Sequence, residues 1–275
     1  HRRTDRFVGH AGAERMSKHI NQSGNTTYFT LNDVATSVLA AAPGIYTLAV
    51  WSNGPTAIAS KIVVACSTTA ALNTALSAYY YPAGGQLVYL TIASGTGAQD
   101  VVSWTTNVWQ LYTFVFTTTV GIAGYDQLKI SVNGGTFSSK VINAATSVAI
   151  DNLTLGARVY NSAAAALHAS NWKFAYFGLW SGIMSQANAT KLATYAPSLV
   201  NTGNLIFATD ANLNYAAGSS NTEFVTVGSD VAISDDNPLL ITGESILRRK
   251  LSLGAYRDGN RVSAARPLPI GGGRR

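Results

Sequence analysis

Short segments in which apolar and polar residues alternate recur along the whole chain, the period of a half-buried β-strand. In Leu111-Tyr-Thr-Phe-Val-Phe-Thr117, Leu111, Thr113, Val115 and Thr117 share one side, and Tyr112, Phe114 and Phe116 the other. Gln127-Leu-Lys-Ile-Ser-Val132 alternates strictly and runs into Asn133-Gly134, a dipeptide that favours a tight hairpin. Segments 46–51, 61–65, 86–92, 101–104, 148–155, 158–160 and 173–180 read as further strands, being rich in β-branched and aromatic residues. Turn signals such as Pro82-Ala-Gly-Gly85 separate them. A different period predicts one short helix. Ser185 is a suitable N-cap for Gln186 to Tyr195, with Ala189, Leu192 and Ala193 on one stripe and Pro197 as the stop. Ala163 to Ala166 is too short to assign. Beyond Pro197 the pattern loosens, with short strands at 204–208 and 223–227 between Gly, Ser and Asn turns.

This order predicts an all-β fold: a two-sheet antiparallel jelly-roll sandwich with one short helix, an irregular C-terminal extension and basic terminal arms. The divisions expected are an N-terminal arm over 1–24, the sandwich over 25–200, a β-rich extension over 201–243 and a C-terminal arm over 244–275.

Composition narrows the class. Only 12% of residues are charged against about a quarter in an average chain. Apolar residues make up 47%, enough for a sizeable core and too many for a disordered chain. The apolar stretch from Val34 to Trp51 is broken by Pro43-Gly44, so no membrane-spanning helix is expected. Cys66, the single cysteine, excludes an intramolecular disulfide and a thiolate metal cluster. After Ile62-Val-Val-Ala65 it reads as a small buried apolar residue.

The formal charge of +6 is unevenly placed. Residues 1–20 carry +3, residues 244–275 carry +6, and the body between carries −3. The basic ends, and the C-terminal one above all (Arg248, Arg249, Lys250, Arg257, Arg261 and Arg266), read as arms laid against acidic surfaces of neighbouring subunits. Solvated tails are the plain alternative. Met16-Ser-Lys has the form of a translation start, which would make the residues before it foreign to the natural protein. No secretion signal is read at the N-terminus, where Arg2, Arg3 and Arg6 are not followed by an apolar core.

Four segments in order carry a resemblance: Trp109-Gln-Leu-Tyr-Thr-Phe-Val-Phe116, Leu128-Lys-Ile-Ser-Val-Asn-Gly134, Leu153-Thr-Leu-Gly156 and Phe174-Ala-Tyr-Phe-Gly-Leu-Trp180, with a short helix after them. Over residues 45–197 the chain resembles the concanavalin A-like lectin/glucanase superfamily, in particular its laminin-G and pentraxin-like branch. The resemblance implies a two-sheet jelly roll and does not by itself imply a function. The family's final strand often carries an Asp where Leu179 and its neighbours here are uncharged.

Catalytic chemistry is sparse. The glucanases of that superfamily place several carboxylates on one strand, whereas the three Glu here (Glu14, Glu223 and Glu244) lie outside the resembling module. Asp100, Asp126 and Asp151 are too far apart to share a strand, and His168 is the single body histidine, so no enzyme is expected. Among the lectins, calcium is held by Asp and Asn oxygens. Asp126, Asp151 and Asn152 are the candidates for it, against the plainer reading as turn and cap residues, and no other cofactor is expected. Sugars favour exposed aromatic faces, and Tyr79, Tyr81 and Trp172 are the candidates, against sheet packing.

Two functions follow as expectations. One is a non-catalytic decoration or fibre component of a bacteriophage virion surface, joined to its own copies or to a capsid or tail protein. The alternative is a secreted carbohydrate-binding lectin domain. Host or environmental glycans are possible partners in both, and neither involves a membrane or nucleic acid.

Overall fold

The computed structural model describes residues 17–20, 27–31, 34–39, 44–55, 61–67, 74–81, 86–93, 96–117, 127–141, 150–160, 163–165, 172–218, 224–228, 231–234, 236, 238 and 240–242. In chain order the strands begin with β1 (Ser17–Ile20), β2 (Tyr28–Thr30), β3 (Ile45–Asn53), β4 (Lys61–Ser67), β5 (Thr74–Tyr81) and β6 (Gln86–Ala93). They continue with β7 (Thr96–Ser103), β8 (Gln110–Thr117), β9 (Gln127–Val132), β10 (Ser138–Val141), β11 (Asn152–Leu155) and β12 (Arg158–Tyr160). The last are β13 (Ala163–Ala165), β14 (Trp172–Ser181), β15 (Leu205–Thr209), β16 (Tyr215–Gly218), β17 (Val225–Val227) and β18 (Val231–Ser234); α1 spans Gln186–Leu192. Two large antiparallel sheets and a two-stranded one, β12-β13, result. The first runs β10-β9-β8-β3-β14-β1-β18, with β15 and β16 branching from β14; the second runs β17-β2-β11-β4-β5-β6-β7. The expected all-β sandwich with one short helix is borne out.

Alternation explains the layers. Tyr112, Phe114 and Phe116 of β8 join Leu48, Val50, Phe174 and Phe177 on one face of the first sheet. They pack on Val64, Cys66, Leu76, Ala78 and Tyr80 of the second. Burial pushes the Cys66 thiol pKa far up, as its reading as a core residue requires. The opposite face of the first sheet, with Ala49, Trp51, Leu111 and Ala175, is covered by Ala189 and Leu192 of α1 and by Met184 and Val200. β8 is therefore buried on both sides, Thr113 included.

Strand β14 is the branch point. Its first residues pair with β1 (Phe174 with Lys18) and its last with β15 (Gly178 with Ala208). The switch falls at a bulge beside Tyr176, which has φ 46° and donates its N–H to the Asp210 carbonyl. Strands that the sequence placed in an N-terminal arm (β1) and in a packed extension (β15 to β18) are thus members of both sheets. Pairing partners far along the chain decide this, and no local period announces them. Ala163–Ala165 is a strand for the same reason, being matched residue by residue to β12.

The helix is held by its cap and by the hairpin beneath it. Ser185 Oγ accepts the Asn188 N–H at 3.3 Å. Gln186 Nε2 donates to the Gly134 and Gly135 carbonyls, and Phe137 N–H donates to Gln186 Oε1 at 3.0 Å. The Asn133-Gly134 turn forms as the sequence predicts, with φ 52° and 72°. A Cβ on Gly134 would lie 2.9 Å from the Thr190 Cα. Gly134→Ala is therefore expected to cost about 1–3 kcal/mol through strain and a lifted helix. Equilibrium urea unfolding checks it, and a loss under about 0.5 kcal/mol, the size of a neutral surface change, would count against this packing.

Candidate functional site

The face of the first sheet that carries α1 is apolar beneath the helix and turns polar towards the other end of the strands. Register sets the row. Lys173 of β14 pairs with Asn53 of β3 and with His19 of β1. Trp109 stands one step beyond the Ser52–Gln110 pair, level with Asn53. Neighbouring strands are about 4.8 Å apart, so Trp109 and Lys173 start roughly 10 Å from each other.

Asp236 closes that gap. Its carboxylate accepts the Trp109 indole N–H at 3.0 Å on one oxygen and the Lys173 ammonium at 2.7 Å on the other. Asn53, level with both by register, is only 7% exposed. Backbone bonds hold the acid in place: Ser17 Oγ donates to the Asp236 carbonyl at 2.6 Å, and Asp236 N–H donates to Ser234 Oγ at 3.3 Å. Leu240 packs against the apolar cluster under the helix together with Trp109. The Asp236 side chain is 50% exposed and that of Lys173 24%.

The Lys173 hydrogen bond, with the Trp109 hydrogen bond adding to it, holds the Asp236 carboxyl below the usual carboxylate range. Because the folded value lies below the unfolded one, the stabilisation is present above the ordinary carboxylate pKa. It is lost as pH falls through the lower, folded value. The pair is half in water, so its contribution is under about 1 kcal/mol. Asp236→Asn is expected to flatten the acid limb of stability against pH by that amount. A limb unchanged in that variant would mean the ion pair does not form in solution.

Chemically, the row offers a half-buried indole, a carboxylate with lone pairs left on both oxygens, and an ammonium with protons to spare. These are the parts that hold a polyhydroxylated ring: an aromatic face for its C–H side, and charged acceptors and donors for its hydroxyls. The sequence pointed to Trp109 only as the first residue of a resembling segment, and did not point to Asp236. Nothing local ties residue 236 to residues 109 and 173.

The residues singled out from the sequence lie elsewhere. Trp172 is 0% exposed, with its ring 4.6 Å from that of Trp104 and 6.3 Å from that of Tyr80. It stands on the inner face of β14, so it presents no open face to a sugar, and that expectation is corrected. Tyr79 pairs through its backbone with Ile62 and Val88, and Tyr81 with Gln86. Tyr80 between them is a core residue; the side chains of Tyr79 and Tyr81 lie outside what is described. Asp151 Oδ1 accepts from Asn152 Nδ2 at 2.6 Å, and Asn152 is buried. Asp126 lies outside the described residues, as do Arg248, Arg249, Lys250, Arg257, Arg261 and Arg266. Among the described residues no group of three or more His, Cys, Asp or Glu is placed to hold a metal, and no helix is long and apolar enough to cross a membrane.

No family model matches the chain, and no curated protein sequence matches it. Solved structures do. A heptameric SAP-like pentraxin from Limulus polyphemus superposes with a TM-score of 0.54 at 11% identity, over 83% of this chain and 98% of the pentraxin. What the two share is a two-sheet antiparallel β-sandwich. A CBM40 module of a Ruminococcus gnavus sialidase, solved bound to α2,3-sialyllactose, gives a TM-score of 0.48 at 12% identity, over 65% of this chain and 97% of that one. At such identities the likeness is one of fold.

Proposed function

We propose that this chain is a lectin-like carbohydrate-binding domain, in which a sugar ring stacks on Trp109 and sets its hydroxyls on Asp236. One observation carries the reading: an indole, a carboxylate and an ammonium from three distant parts of the chain meet at one half-exposed point of a lectin fold. The reading is of binding without turnover. Glycosidic hydrolysis takes two carboxyl groups about 5–10 Å apart, one of them kept protonated. Among the described residues Asp236 is the one carboxylate of the row, and Lys173 holds it ionised. Binding here calls for no calcium, and a chelator is expected to leave it intact. Asn152 begins β11 of the second sheet, so an ion held by Asp151 and Asn152 would act elsewhere.

The test is a glycan array probed with the full chain, then titration of the retained glycans against Trp109→Ala. Loss of the stacking ring is expected to weaken binding at least tenfold, about 1.4 kcal/mol, with the far-ultraviolet spectrum unchanged. An array that retains nothing, or a variant that binds as well as the parent, overturns the reading. Tyr79 and Tyr81 are a second proposed contact, judged by the same titration with Tyr79→Ala and Tyr81→Ala.

A virion-surface component is the second reading. It rests on the charge pattern of the ends, whereas the geometry favours glycan binding. Its arm contacts are proposed on charge alone, with Arg248, Arg249 and Lys250 foremost. Deletion of residues 244–275 is expected to reduce particle size or co-sedimentation in a salt-dependent way. Unaltered assembly and particle binding at every salt concentration would leave those residues a solvated tail.

A further inference from the structure

We infer that the ligand of the Trp109–Asp236–Lys173 row is an uncharged glycan, not one bearing carboxylate or sulfate groups. This deepens the glycan-binding reading and depends on it. Local charge decides between the two. Recognition of an acidic sugar takes a cation whose charge is not already matched, as in the Arg and Lys clusters that bind carboxylates and phosphates.

Lys173 is matched. Its ammonium sits 2.7 Å from Asp236, and that is the one salt bridge found among the described residues. The pair carries no net charge, and its more exposed member is the acid. An anionic group approaching the indole would therefore meet a half-exposed carboxylate first. To take Lys173 for itself, it would have to strip Asp236 of its partner. By register the row holds no other Lys or Arg among the described residues. Lys129 is level with Val115, six residues along the strand from Trp109, which is about 20 Å. Lys18 points to the opposite face, its ammonium 5.8 Å from the Phe29 ring centroid. His19 stands next to Lys173 by register and is the one further titratable position in the row.

A neutral sugar meets the reverse conditions. Its hydroxyls are donors, and each Asp236 oxygen has spent one lone pair on the indole or the ammonium and keeps another. Two adjacent hydroxyls of one ring can bind both oxygens at once, while the ring lies on the indole. The ammonium keeps the carboxylate ionised while this happens.

The experiment compares each retained neutral glycan with its sialylated, uronic or sulfated counterpart, by titration of the full chain at low and high salt. The neutral form is expected to bind at least about tenfold more tightly, with little change as salt rises. Asp236→Asn keeps the shape of the site and frees Lys173. It is expected to lose neutral binding by roughly tenfold or more, the scale of one charge-assisted hydrogen bond, and to gain affinity for the acidic counterpart.

Tighter binding of the acidic form by the parent chain, abolished by Trp109→Ala, overturns the inference and leaves the glycan reading standing. So does an Asp236→Asn variant that gains nothing for acidic glycans. If no glycan binds, the glycan reading itself has failed. Acidic binding that survives Trp109→Ala and disappears at high salt belongs to the basic chain ends, and the neutral series alone then decides.

Discussion

Trp172→Ala is expected to lower stability by about 3–5 kcal/mol, the range for deleting a fully buried large aromatic. The ring is 0% exposed and joins Trp104 and Tyr80 at one end of the core. Trp104 in turn stacks on Tyr112 with a 7° interplanar angle, so the loss opens a cavity next to a chain of rings. Surrounding groups cannot close it cheaply, because the indole also lies on the chain at Gly54, where a Cβ would come within 2.5 Å of it. Trp172→Phe should cost far less. It keeps an aromatic ring there and removes an indole N–H that is buried without a hydrogen-bond partner. Equilibrium denaturation of both variants checks the pair. A cost under about 1 kcal/mol for the alanine variant would show that the end of the sandwich is open and wet rather than packed.

Adding a single carbon can be nearly as harmful. Gly178→Ala places a Cβ 2.3 Å from the Trp180 ring and 2.8 Å from Pro197 Cβ. Neither yields easily. Trp180 is fully buried, and its indole N–H donates to the Val200 carbonyl at 2.9 Å. Pro197 is buried in the turn after α1. Overpacking of this kind costs about 1–3 kcal/mol, and here the displaced ring would also lose its hydrogen bond. Gly203→Ala is the control, since nothing lies within 4 Å of its Cβ position. It is expected to leave the midpoint of unfolding unchanged. Equal effects at the two glycines would contradict the close approach at Gly178.

Much of the fold was legible from period and turn chemistry. The alternation in 111–117 and 127–132 is that of β8 and β9, and Asn133-Gly134 takes the left-handed backbone its residue types favour. Ser185 caps α1 as read, though the helix stops at Leu192, three residues before the expected Tyr195. Strands β1 and β18 were not legible: each is four residues long, too short for a period to stand out, and each is fixed by a partner far along the chain. β17 was read as a short strand within 223–227, but its pairing with β2 was not.

The candidate site divides along the same line. From the sequence alone came a sparsely charged, slightly acidic β-sandwich body between basic ends, a buried Cys66, and aromatic residues rich enough to suggest sugar contacts. Which aromatic faces the core was decided only by tertiary structure. Trp172 and Trp109 differ little in local composition. One lies on the inner face of β14, and the other on the outer face of the same sheet beside β3. Strand pleating gives neighbouring positions opposite faces, but it does not say which face is covered. Residues 109, 173 and 236 meet because β8, β3 and β14 are adjacent and because the chain turns back after β18. Such contacts depend on strand order, and strand order is set by the burial of the whole core rather than by any segment of it.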